Sequence, residues 1–323
     1  MSSSHKKKSG WQKWSRVLNI VFFILVPIFL FLLIKNTDWQ EVGEAFHKLE
    51  WSRLALCLAI ATASYFVYGC YDLLARKYSG HKLPTHQVLS VAAICYAFTL
   101  NLSFWVGGLA LRFRLYSRLG LDAATITKIF SFSALTNWLG YLILAGSIFS
   151  LKLLDLPPNW KIGETGLQVI GILLLLVAAI YIGACRFAKR RSWKIRSHKI
   201  LLPEFRIALI QACLAITNWS LMSLLIFVLL PEDVTYPTVM GILLISGIAG
   251  VITHIPAGLG VLESIFVAML QHQFPQGVIL AAIIGYRLVY FLIPLAVAGI
   301  SYFVMESRAK KMGRKTIPNA ATT

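Results

Sequence analysis

The sequence predicts an all-α polytopic membrane protein of six to eight transmembrane helices, with two re-entrant hairpins in an inverted repeat. Three observations predict it. The 323 residues are 58% hydrophobic and only 14% charged, with a mean hydropathy of +0.71. Such a chain has too little polar surface to fold in water. Apolar runs recur at about 17–34, 54–75, 88–111, 129–151, 166–187, 207–230, 238–270 and 278–304, each near the length that crosses a bilayer. The basic residues cluster between and beyond these runs.

Residues 1–16 form a basic tail carrying Lys6, Lys7, Lys8, Lys13 and Arg16. The run 17–34 follows with no small-residue cleavage site after it, and is read as a retained span and not a removed signal peptide. Residues 37–51 read as an interfacial helix. Thr37 or Asp38 caps it, Trp39, Val42, Phe46 and Leu49 line one face, and Glu41, Glu44 and Lys48 the other. A single membrane domain then extends over 17–304, and 305–323 is a second basic tail.

The formal net charge is +18, a value also met in nucleic-acid-binding proteins. Its distribution argues otherwise. Eight basic residues lie in 186–206 and five more after Val304, all flanking apolar runs. That is the positive-inside pattern of cytoplasmic loops, so no nucleic-acid partner is expected. Cys57, Cys70, Cys95, Cys185 and Cys213 sit in apolar segments without metal or redox spacing and read as small hydrophobes. No cofactor or metal is expected.

Charge also constrains the crossings. If each run up to Cys185 crossed once, the basic loop 186–206 would face away from the basic N-terminus. One run must therefore enter and leave on the same side. The best candidate is 88–111, in which Asn101, Ser103, Gly107 and Gly108 precede Arg112, Arg114 and Arg118. The acidic loop with Glu232 and Asp233 belongs outside and the basic C-terminus inside, so 238–273 is read as a second hairpin folded at Pro256–Gly260. Six full spans and two hairpins result. Units 54–151 and 207–304 would then be inverted copies, an architecture of transporters. Eight simple spans, with one loop breaking the charge rule, are the alternative.

The second break is the most informative segment. His254-Ile-Pro-Ala-Gly-Leu-Gly-Val-Leu-Glu263 interrupts an apolar stretch that resumes and carries Arg287. Pro256 removes a backbone donor, while Gly258 and Gly260 permit a tight turn. Irregular backbone at membrane depth survives only against protein or a water-filled cavity. Glu263 and Arg287 are candidate partners, because an unpaired charge there is costly. Two readings are open for them: a structural pair locking the hairpin, or a site in which Arg287 holds a lipid phosphate and Glu263 meets a cationic group or exchanges a proton. His254 reads as a hydrogen-bonded core residue or a polar relay. Arg112 and Arg114 either approach the cavity, suited to a phosphodiester, or anchor a helix end at the interface. Asp72 and Arg76, four apart, read as a local pair. Thr-Asn-Trp occurs at 136–138 and 217–219 and reads as a source of interhelical hydrogen bonds, with a cavity role as the second reading.

No phosphate-binding loop, zinc motif or nucleophile elbow is present. This argues against ATP-driven transport by the chain alone and against an intramembrane enzyme.

Gly107-Gly108 with Arg112, then Pro256-Ala-Gly-Leu-Gly-Val-Leu-Glu263, then Arg287 with Pro294 and Gly299, resemble the transmembrane flippase region of the lysylphosphatidylglycerol synthase family. The resemblance runs from the first span to about Glu306. It implies a stand-alone, multi-pass protein of the bacterial inner membrane, without the synthase domain; the basic tails place both termini in the cytoplasm. The implied activity is movement of a polar phospholipid, such as phosphatidylglycerol or a derivative, between leaflets. Arg112, Arg114, Glu263 and Arg287 would meet the headgroup, and Gly107, Gly108, Pro256, Gly258 and Gly260 would shape the turns. The alternative is a non-transporting partner or scaffold of a lipid-synthesis enzyme.

Overall fold

A backbone placed in hydrocarbon must satisfy its own donors and acceptors, which helices do within each segment. The computed structural model is helical almost throughout. It describes residues 43–44, 51–102, 104–154, 163–189, 192–195, 198–253 and 255–315. The expected span 17–34, most of the expected interfacial helix at 37–51, and His254 lie outside the described residues.

The elements in order are α1 (Trp51–Ser79), α2 (Thr85–Asn101), a π-helical segment (Phe104–Ala110), α3 (Leu111–Arg118), α4 (Ala123–Ser150) and α5 (Gly163–Phe187). Strands β1 (Ser192–Ile195) and β2 (His198–Leu201) precede α6 (Phe205–Leu229) and α7 (Tyr236–Thr253). A 3-10 turn (Pro256–Gly258), α8 (Val261–Leu270), α9 (Gln276–Arg287), a second π-helical segment (Leu288–Leu292) and α10 (Ile293–Lys315) complete the chain. The strands form a small antiparallel hairpin with Ser192 opposite Leu201, a feature the apolar pattern does not signal.

Among the described residues, six helices are long and apolar enough to cross a membrane: α1, α4, α5, α6, α7 and the continuous 276–304. Five coincide with expected full spans. The sixth, α7, is the first arm of the expected second hairpin. Both breaks reverse the chain. At Gly107 a Cβ would lie 2.2 Å from the Thr99 nitrogen and 2.3 Å from the Phe98 carbonyl carbon, so only glycine allows the π segment to fold back onto α2. At the second break Ala257, Gly258 and Gly260 all adopt the left-handed region, with φ of 56°, 55° and 77°. There α8 packs on α7. Its 10 residues rise only about 15 Å, half a hydrocarbon core.

Two units repeat the same packing. In the first, α1 packs on α2 and on α4, and α3 on α4; in the second, α6 packs on α7 and on α9, and α8 on α9. Between units α1 lies on α6, and α2 on α10 is matched by α7 on α4. Arg53, in the first turn of α1, is ion-paired at 3.2 Å with Glu232 just beyond α6. At the other end of α1 the Tyr78 hydroxyl donates to the Leu201 carbonyl just before α6. The first helices of the two units therefore run antiparallel, and the chain between them returns to the end of α1 that it left.

Candidate functional site

Among the described residues two ion pairs are buried in the interior, one behind each chain reversal. In the first, α1 contributes Asp72, which is fully buried, and α3 contributes Arg112, 2% exposed. Arg112 donates to Asp72 from Nη2 at 3.0 Å and from Nε at 3.3 Å. Asp72 also accepts from the Tyr116 hydroxyl at 2.9 Å and the Ser133 hydroxyl at 2.7 Å. Arg112 Nη1 donates to the Gly108 carbonyl at 3.3 Å, and its guanidinium lies 5.9 Å from the Tyr68 ring centre. A buried charge persists only when paired and hydrogen-bonded, and these contacts supply both.

A polar ring lies beside this pair. The Ser64 hydroxyl donates to Asn218 Oδ1 at 2.9 Å and meets the Tyr290 hydroxyl at 2.7 Å. Tyr290 meets the Tyr96 hydroxyl at 2.8 Å, and Asn218 Nδ2 donates to Tyr96 at 3.4 Å. The four side chains come from α1, α2, α6 and the second π segment, closing a loop across both units. Tyr96 stacks on Tyr68 with ring centres 3.6 Å apart, which links the ring to Arg112.

A cavity of about 210 Å³ opens here, lined among others by Tyr68, Tyr96, Arg112, Asn137, Trp138 and Trp219. Arg112 is the charged residue among the described residues that line it. Its walls come from α1, α2, α4 and α6, with Val251 of α7 at its edge, so both units contribute. An apolar, aromatic wall with a few placed polar groups is the usual character of a ligand pocket.

The second cluster is built on the Pro256–Gly258 turn. Arg287 Nη2 donates to Glu263 Oε2 at 3.1 Å, and Nε donates to Oε1. Arg287 also donates to the Ala257 carbonyl at 3.0 Å and the Gly258 carbonyl at 2.9 Å. Its guanidinium lies 5.4 Å from the Phe291 ring centre. One side chain thus fastens the carboxylate and both carbonyls of the reversed turn.

The expected Glu263–Arg287 pair is formed. Arg112 reaches the cavity, while Arg287 belongs to a separate ion pair. Arg114 is exposed and its guanidinium lies 5.7 Å from the Tyr302 ring centre. Gly107 is the close approach of the first reversal, Gly108 lends its carbonyl to Arg112, and Pro256 opens the turn that contains Gly258 and precedes Gly260. The Asp72–Arg76 reading is corrected. Asp72 pairs with Arg112, and Arg76 donates to the Leu83 carbonyl and the Thr85 hydroxyl. Asp72 is the sole acidic residue between Glu50 and Asp122, a signal that marks it as the carboxylate within reach of Arg112. The two Thr-Asn-Trp segments do supply interhelical bonds, as Trp219 Nε1 donates to the Asn137 carbonyl at 3.3 Å. Asn137, Trp138 and Trp219 also line the cavity.

The comparisons agree with this architecture. A family profile described as the lysylphosphatidylglycerol synthase TM region matches residues 17–298. The chain is 47% identical to inner membrane protein YbhN of Escherichia coli, covering 98% of each chain. It is 26% identical to the phosphatidylglycerol lysyltransferase of Bacillus subtilis over 86% of this chain but 33% of that protein. With its spanning helices, its two packed units and this match over most of its length, the chain is an integral membrane protein that belongs to the lysylphosphatidylglycerol synthase transmembrane-region family.

Proposed function

We propose that this protein is a multi-pass protein of the bacterial inner membrane that moves a polar phospholipid, such as phosphatidylglycerol or a derivative, between leaflets, and that its two chain reversals are re-entrant. The observation that carries the reading is the Arg112 cavity between the two units. Inner membrane protein YbhN and a phosphatidylglycerol lysyltransferase as relatives support the compartment and the lipid class.

The chemistry follows from the contacts. A headgroup phosphate crossing the bilayer needs a cation and shelter from hydrocarbon. Tyr116 and Ser133 hold Asp72 independently of Arg112. Arg112 can therefore keep its carboxylate while offering the guanidinium donor, of five, that its four bonds leave over. Tyr68, Tyr96, Trp138 and Trp219 wall the headgroup, with hydroxyl, indole and Asn137 amide groups in reach of glycerol oxygens. The acyl chains stay in lipid. Arg287 and Glu263 hold the second turn in shape, and Arg114 meets the headgroup at the mouth. No step in this scheme makes or breaks a covalent bond, so the protein acts as a translocator and not as an enzyme.

Headgroup-labelled phosphatidylglycerol in proteoliposomes, followed by dithionite quenching, tests the reading. Wild type should expose inner-leaflet label rapidly, and Asp72→Leu/Arg112→Met, which leaves no orphan charge, should be slow while still folded. No acceleration over protein-free vesicles across several anionic lipids would overturn it in favour of a scaffold for a lipid-synthesis enzyme, docked through the basic segments.

A further inference from the structure

A second, larger recess lies away from the Arg112 cavity, where the last turns of α1 meet the first turns of α6. This groove of about 630 Å³ is lined by Leu73, Arg76, Lys77, His81, Ile210 and Leu214, among others. Its composition is divided. The walls from α1 and α6 are apolar and belong to helices of membrane-crossing length. The mouth carries two cations and a histidine, and among the described residues no carboxylate lines it.

Among the described residues the lining of the mouth is cationic. Among the described residues, the bonded partners of Arg76 are neutral oxygens, the Leu83 carbonyl at 3.0 Å and the Thr85 hydroxyl at 3.2 Å. Lys77 is exposed. His81 Nδ1 accepts from the Leu83 amide at 3.4 Å, so the neutral ring carries its proton on Nε2. That Nε2 is buried and lacks a hydrogen-bond partner. A buried donor without an acceptor costs free energy, and an anion at this mouth supplies the acceptor. The Tyr78–Leu201 hydrogen bond ties this end of α1 to the segment 186–206, where eight basic residues lie. Such a segment draws acidic lipids to its side of the membrane.

We propose that this groove seats one acidic phospholipid, its phosphate on Lys77, Arg76 and His81 and an acyl chain along Leu73, Ile210 and Leu214. The apolar walls select a lipid over free phosphate, and the cations select an acidic over a zwitterionic headgroup. The site does not depend on the translocation reading, since a seated lipid need not cross.

Native mass spectrometry of the full-length protein in neutral detergent tests it, with titration by dioleoyl phosphatidylglycerol or dioleoyl phosphatidylcholine. Wild type should bind phosphatidylglycerol more tightly. Lys77→Gln should weaken that binding about fivefold, the ratio that corresponds to about 1 kcal/mol per surface cation. Adding His81→Gln should weaken it further, and Lys77→Arg should keep it. The exposed Lys128→Gln serves as a control for surface charge and should not change it. Lys77 is exposed, so its variants should melt with wild type. Equal binding of the two lipids, equal binding by Lys77→Gln/His81→Gln, or full displacement by millimolar inorganic phosphate would each overturn the proposal.

Discussion

Asp72 and Arg112 are 40 residues apart in sequence and 3.0 Å apart in space, and both are buried. The pair joins α1 to the helix that follows the first reversal, and so fixes that hairpin against the first helix of its own unit. Removing one partner leaves a buried charge, which costs about 3–5 kcal/mol. Asp72→Ala and Arg112→Met should each lower the melting temperature in detergent sharply. The double variant Asp72→Leu/Arg112→Met should recover much of it, because two apolar groups leave no orphan charge. Translocation by the double variant should stay absent if Arg112 serves the headgroup.

Much of this arrangement was legible from residue order. Apolar runs broken by Gly107-Gly108 and by Pro256–Gly260 give both reversals, because sterics and backbone hydrogen bonding leave few alternatives there. Glu263 and Arg287 were also legible as partners, each being an isolated charge in an apolar stretch. The cavity was not. Tyr68, Tyr96, Trp138 and Trp219 lie on four different helices that are apolar around most of their surface, so periodicity does not say which faces converge. The two π-helical segments were hidden as well, since a π turn has no composition distinct from an α turn.

The glycines should separate by mechanism. Gly107→Ala drives a methyl into the Thr99 and Phe98 backbone, which cannot rotate away. Overpacking of that kind costs about 1–3 kcal/mol or more. At Gly258 open space surrounds the position and φ is 55°, so Gly258→Ala should cost only the left-handed backbone, about 1–2 kcal/mol. Ala257→Gly removes the same strain at φ 56° and should be neutral or slightly stabilising. Melting temperatures of the three variants check the order; a Gly107→Ala protein as stable as wild type would refute the close contact.

Glu263 and Arg287 should respond unequally. Glu263→Gln removes a carboxylate but leaves the guanidinium on the Ala257 and Gly258 carbonyls. Arg287→Gln strips both carbonyls and strands the carboxylate. The arginine variant should therefore be the less stable. Glu263→Gln/Arg287→Gln should recover only in part, since the turn carbonyls stay unsatisfied. A double variant with full wild-type melting would show that the turn does not need its staple.

Stability should also depend on pH through His81. Burial holds its imidazole below the usual value of 6.5, with the nearby Arg76 cation adding and Asp72 opposing. The unfolded chain therefore binds more protons than the folded one just below pH 6.5, and stability rises with pH there. Its contribution is complete above that value and is lost as pH falls through the folded pKa. Thermal unfolding from pH 5 to 8 should show a decline on the acid side that His81→Gln makes shallower.

The sidedness of the loops provides the last test. Arg53 meets Glu232, and Tyr78 meets Leu201. Eight simple crossings would put each of these pairs on opposite faces of the membrane, more than a hydrocarbon thickness apart. With the first hairpin re-entrant each pair shares a face. Reporter fusions at Lys189 and Glu232 should therefore read cytoplasmic and periplasmic, respectively. The opposite result at both positions would refute the first hairpin and require both contacts to be broken in the membrane.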